Sequence, residues 1–143
     1  IAPWWQEADT LAFNARFDPL RAQYDAYPAL GQIRVNGQLT LAENIADLAG
    51  VEIARAALDT LGPQPAQGTL SAAQRYYLAY ARVWRRNYRD EELQLLSRID
   101  VHAPAKWRVN GPLANLAPFA EAFKCKVGKN SMMRADKDRV TVF

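Results

Sequence analysis

Val35-Asn36-Gly37-Gln38-Leu39-Thr40-Leu41-Ala42-Glu43-Asn44-Ile45-Ala46-Asp47 is the stretch on which the fold turns. Thr40 and Glu43 have capping-box spacing, so a helix is expected to start at Thr40. Ile45, Leu48, Ile53 and Leu61 continue an apolar face until Gly62-Pro63 stops it. Just upstream, Ile33 and Val35, then Asn36-Gly37, then Leu39 and Leu41 alternate around a type I′ turn pair. That pattern predicts a short β-hairpin between Gln32 and Leu41. Glu43 and Asp47 stand at i and i+4, so both carboxylates project from one face of the helix.

The helical period dominates on either side. Ala8, Leu11, Ala12 and Ala15 predict one face of a helix from Trp5 to about Tyr27, kinked or split at Pro19, with Leu20 and Tyr24 beyond it. Gln64 to Gly68 is a loop, and Ser71-Ala72-Ala73-Gln74 is a second capping box. It opens a helix on which Tyr77, Tyr80, Val83, Trp84 and Tyr88 line one side. A shorter helix runs through Leu93, Leu96 and Ile99. His102 to Asn110 contains Pro104 and runs into Gly111-Pro112, so it reads as a loop. A last helix is expected from near Leu113 to Phe123, and Arg139 to Phe143 as an extended tail.

Length and composition narrow the class. The 143 residues suffice for one core but not for two ordinary domains. Half are hydrophobic and 23% charged, which excludes disorder. No apolar run approaches the roughly 20 residues of a membrane span. Ile1-Ala2-Pro3-Trp4-Trp5 opens without an initiator Met and reads as the continuation of a longer chain. The net charge of +3 is modest. Arg82, Arg85, Arg86 and Arg89 would form one helical stripe, either a solvated face or a nucleic-acid patch. The single cysteine, Cys125, excludes an internal disulfide. The expectation is one mostly α domain over residues 1–143.

Several residues could carry chemistry. Glu43 is either the acid of the capping box or a carboxylate metal ligand, with Asp47 accepting a hydrogen bond from another ligand's imidazole. His102, the only histidine, is a surface or core residue, or a donor acting with Arg108 on an oxyanion and a substrate carbonyl. Catalytic zinc commonly takes three protein ligands, and this chain holds no complete set. No G-x-S-x-G, Gly-rich phosphate loop or C-x-x-C is present.

In order along the chain, Trp4-Trp5, Val35 to Asp47, Tyr80-Ala81-Arg82-Val83-Trp84-Arg85 and Asp100 to Asn115 resemble the carboxy-terminal part of the neprilysin-like (M13) zinc metallopeptidases. Phe119 to Phe123, Val127-Gly128 and Met132 are similar to the family's closing segment. The resemblance implies the helical C-terminal part of a thermolysin-like (zincin) domain with a short hairpin, lacking the H-E-x-x-H helix. It implies a zinc endopeptidase that cuts oligopeptides on the amino side of large apolar residues, and a fragment inactive alone. Glu43 would ligate Zn2+, Asp47 would orient a ligand histidine, and His102 would hydrogen-bond the tetrahedral intermediate. Arg108 would grip a substrate carbonyl, Trp84 would wall the apolar pocket or simply pack in the core, and Asp100 would position His102. Partners would be peptide substrates and the N-terminal part of the same protein, with no nucleic acid and no membrane contact from this segment. The location would be exported, periplasmic or membrane-anchored extracytoplasmic. The family usually has Gly-Gly at Ala49-Gly50, Ser at Ala103, Phe at Trp107 and Trp at Phe143. The open alternatives are a non-catalytic helical interaction module and a basic nucleic-acid binder.

Overall fold

A computed structural model describes residues 4–129 and 131–143, leaving the opening Ile1-Ala2-Pro3 outside the described residues. Helix α1 (Glu7–Asp25) leads into strands β1 (Pro28–Leu30) and β2 (Ile33–Arg34), followed by α2 (Gly37–Thr60) and α3 (Ala72–Val83). Then come α4 (Asp90–Ile99), α5 (Ala105–Leu113), α6 (Ala117–Phe123) and a 3-10 turn at Asp136–Asp138. The fold is thus mostly α with one antiparallel hairpin, as expected. Helix α2 packs on both α1 and α5, α3 on α6, and α4 beside the hairpin.

The face of α1 differs from the expected one. Leu11 is 63% exposed, whereas Phe17, Leu20 and Tyr24 are buried and Phe13 packs against them. Large side chains at i, i+4, i+7 and i+11 remove far more apolar area from water than alanines do. Pro19 does not split the helix. It removes one backbone hydrogen bond, and the burial of Leu20 and Tyr24 beyond it holds the second half in place.

The hairpin forms earlier than its sequence pattern suggests. Pro28 pairs with Arg34 and Leu30 with Ile33, around Gly31 at φ +54°. That left-handed conformation suits glycine. Asn36 and Gly37 instead open α2. The Asn36 side chain accepts from Leu39 N at 2.9 Å, and Asp25 Oδ1 accepts from Gly37 N at 2.7 Å. A Cβ at Gly37 would collide with the Arg21 carbonyl, so glycine here permits α2 to approach α1 rather than making a turn. Thr40 is therefore inside the helix, buried and bonded to Asn44, and the expected box with Glu43 does not exist. On α2, Leu48 and Val51 are buried, while Ile53 and, just past the helix end, Leu61 are exposed.

Ser71 and Gln74 do form a reciprocal capping box. Helix α3 ends at Val83, so Arg85, Arg86 and Arg89 do not continue it, the predicted basic stripe does not form, and Tyr88 lies past the helix. The segment after His102 is not a loop: Ala105–Leu113 is helical, with Pro104 as its N-cap and Pro112 in its last turn. The next helix starts at Ala117, later than Leu113. Trp107, in the first half of α5, stacks on Tyr27 with centroids 3.9 Å apart, and its Nε1 donates to Pro28 O at 2.6 Å. A phenylalanine there could not make that hydrogen bond. Beyond the 3-10 turn the tail is irregular, tied down where Asn115 Oδ1 accepts from Val140 N at 3.0 Å.

Candidate functional site

Helix α2 carries Glu43 and Asp47 on one face, and the packing of α2 against α5 brings that face to Arg108. Arg108 Nε and Nη2 each meet an Asp47 carboxylate oxygen at 2.7 Å, across 61 residues of sequence. This two-pronged pair is well buried, with side-chain exposures of 14% and 9%. Burial alone would weaken the Arg108 charge, but the Asp47 carboxylate more than offsets it and raises the guanidinium above its ordinary value. Fork-on-fork geometry of this kind is the strong form of an ion pair. The guanidinium Cζ lies over the ring of Trp84, the C-cap residue of α3, 3.8 Å from its centroid.

One turn along α2, Glu43 Oε2 lies 3.2 Å from His102 Nε2. The other ring nitrogen, Nδ1, lies 2.8 Å from Asp100 Oδ1, which also accepts from the His102 amide at 2.9 Å. His102 therefore sits between two carboxylates. A neutral ring donates to one of them and an imidazolium to both. Burial opposes ionisation of Asp100, but the hydrogen bonds from the His102 amide and ring outweigh it, so its carboxyl titrates below the usual range. A depressed folded-state value means the stabilisation is present above the unfolded value of about 3.9 and is lost as pH falls through the folded one. Urea midpoints measured from about pH 6 down to about pH 2 are expected to fall further for wild type than for Asp100→Asn. Parallel decline in the two proteins would contradict this.

The residues singled out in the sequence thus converge: Asp100, His102 and Glu43 form one run, and Asp47, Arg108 and Trp84 the next. The sequence did not reveal the Asp47–Arg108 or Glu43–His102 contacts, nor Tyr80, whose hydroxyl donates to Arg108 O at 2.5 Å. Trp84 is under Arg108 rather than lining the adjacent groove. That groove, about 370 Å³, is lined by Ala46, Asp47, Gly50, Val51, Ala54, Tyr76, Ala79, Tyr80 and Val83. A larger cavity of about 530 Å³, lined by residues such as Glu52, Arg55 and Tyr77, touches none of these candidates.

Glu43 and His102 are reachable from outside, at 37% and 40% side-chain exposure. Among the described residues, no three His, Cys, Asp or Glu side chains are arranged to hold a metal ion. The chain fits one corner of a three-ligand site: an accessible carboxylate, Glu43, with the buried carboxylate Asp47 one turn behind it.

Known proteins share this fold and sequence. The structure superposes on an open-state zinc metalloprotease, Zmp1 of Mycobacterium tuberculosis, with a TM-score of 0.88 and 32% identity, covering 99% of this chain and 23% of that one. PepO from Lactobacillus rhamnosis matches with a TM-score of 0.80 and 35% identity over 97% of this chain and 21% of its own. The fold is therefore one found in zinc metallopeptidases. The model of peptidase family M13 matches residues 1–140, and the chain belongs to that family. Among curated relatives, membrane metallo-endopeptidase-like 1 of Homo sapiens is 38% identical over 133 residues, 87% of this chain and 17% of its own. Neprilysin-1 of Caenorhabditis elegans is 37% identical over 137 residues, 90% of this chain and 18% of its own. The chain spans less than a fifth of the length of these two relatives.

Proposed function

We propose that this chain, as a single unit over residues 1–143, is the carboxy-terminal part of the catalytic domain of a zinc endopeptidase acting on oligopeptides. It would supply one metal ligand and some of the groups that grip the substrate. The observation that carries the reading is the juxtaposition of an exposed Glu43, touching His102, with a buried Asp47, forked onto Arg108. Zinc, when bound, polarises a water and the scissile carbonyl. Glu43 would be its carboxylate ligand, and two further ligands would come from the rest of the protein.

The chain's own residues then divide the remaining work. Asp47 has lone pairs left after Arg108 takes two of them, so it can also accept from a ligand imidazole and fix its tautomer. His102, held by Asp100 at Nδ1, would as an imidazolium also donate from Nε2 to the oxyanion of the tetrahedral intermediate. Arg108 keeps Nη1 free of Asp47 and would bind a substrate backbone carbonyl. Trp84, packed against the Arg108 guanidinium, would help to wall the pocket for a large apolar side chain after the scissile bond. Family membership supports an extracytoplasmic location; among the described residues no helix is long and apolar enough to cross a membrane.

The full-length protein is expected to hydrolyse oligopeptides, to lose that activity to a chelator and to regain it with zinc. The isolated chain is expected to bind zinc only weakly and to cut nothing, because one carboxylate and a histidine do not close a tetrahedral site. Zinc titration of the chain against a competing chelator checks this. Stoichiometric binding below about 1 µM by this chain alone would overturn the divided site.

A further inference from the structure

Arg108 stands four residues before Pro112 in α5. Proline has no N–H, so the Arg108 carbonyl lacks the helical donor that position 112 would ordinarily provide. The Tyr80 hydroxyl takes that place, donating to Arg108 O at 2.5 Å. Tyr80 sits on α3 one turn before Trp84, so the same face of α3 meets both the backbone and the guanidinium of Arg108. Burial first, and the Asp47 carboxylate second, push the Tyr80 phenol well above its ordinary value, which keeps it a neutral donor at working pH. A carbonyl left without a donor away from solvent is costly, and this one is partly buried, so the Pro112 gap and the Tyr80 hydroxyl act as a pair.

We propose that Tyr80 is a positioning residue for Arg108. Its hydroxyl fixes the Arg108 backbone, Trp84 fixes the plane of the guanidinium, and Asp47 fixes its edge, so that Nη1 alone is presented to substrate. This rests on the reading of Arg108 as the substrate clamp. Tyr80 touches neither substrate nor metal, and it acts only through Arg108.

The test uses the full-length enzyme. Tyr80→Phe keeps the ring and removes the hydroxyl, and is expected to raise KM about 3–10-fold, the scale of one neutral hydrogen bond, with kcat little changed. In an Arg108→Met background the same change is expected to add nothing, since the group it positions is gone. Pro112→Ala restores an N–H to the Arg108 carbonyl and is expected to return the KM of Tyr80→Phe toward wild type. An unchanged KM in Tyr80→Phe overturns the proposal, as does an equal KM rise in the Arg108→Met background or a fall in kcat alone. If Arg108→Met itself leaves KM unaltered, the substrate-clamp reading fails as well. If Arg108→Met raises KM and Tyr80→Phe does not, only the positioning role fails.

Discussion

Replacing Glu43 by glutamine in the full-length protein is expected to empty its metal site and abolish peptide hydrolysis. The amide is nearly isosteric but carries no negative charge, and a catalytic zinc held by three protein groups does not tolerate the loss of one. Because Asn36 caps α2 and Thr40 is buried inside it, Glu43 makes no cap, so the substitution should leave the helix and the fold intact. Elemental analysis is expected to show little or no zinc, with thermal unfolding otherwise like that of metal-free wild type. Asp47→Ala provides the scale: an outer partner of a ligand typically costs about 10–100-fold in metal affinity, and Glu43→Gln should exceed that. Asp47→Ala should also raise KM, since it releases the fork on Arg108. Wild-type zinc content in Glu43→Gln would return Glu43 to an ordinary surface acid.

His102→Ala is expected to lower kcat by roughly 10²–10³-fold with KM little changed, the signature of a donor that acts on charge developing in the transition state. Arg108→Lys is expected to do the reverse, because the carbonyl it grips exists in bound substrate and transition state alike. An ammonium cannot span both Asp47 oxygens or stack flat on Trp84, so lysine should raise KM despite keeping the charge. Both variants should keep their zinc. Steady-state kinetics on zinc-replete protein separate the two outcomes, and wild-type kcat in His102→Ala would remove its assigned role.

Features governed by neighbours along the chain are legible in the amino-acid sequence itself. The Ser71–Gln74 box is one, and the short-range approach of Asp100 to His102 is another. Sequence pattern and fold part company where a local signal serves a distant contact. Asn36-Gly37 has the chemistry of a hairpin turn, yet Asp25 on α1 claims the Gly37 amide and the pair becomes a helix start. Pro104 and Pro112 read as loop punctuation around Arg108, yet one caps α5 and the other sits in its last turn, with Tyr80 satisfying the carbonyl that Pro112 leaves open. The basic stripe requires α3 to continue past Val83, which it does not. The contacts that bind the candidate site together span dozens of residues, and no spacing rule reports them.

The most direct test of the divided site is zinc-edge anomalous diffraction from crystals of the full-length enzyme. The account predicts one zinc with a Glu43 carboxylate oxygen at about 2.0–2.2 Å, two further ligands from outside residues 1–143, and neither His102 nor Asp47 in direct coordination. A fully ligated zinc that Glu43 does not touch would contradict it.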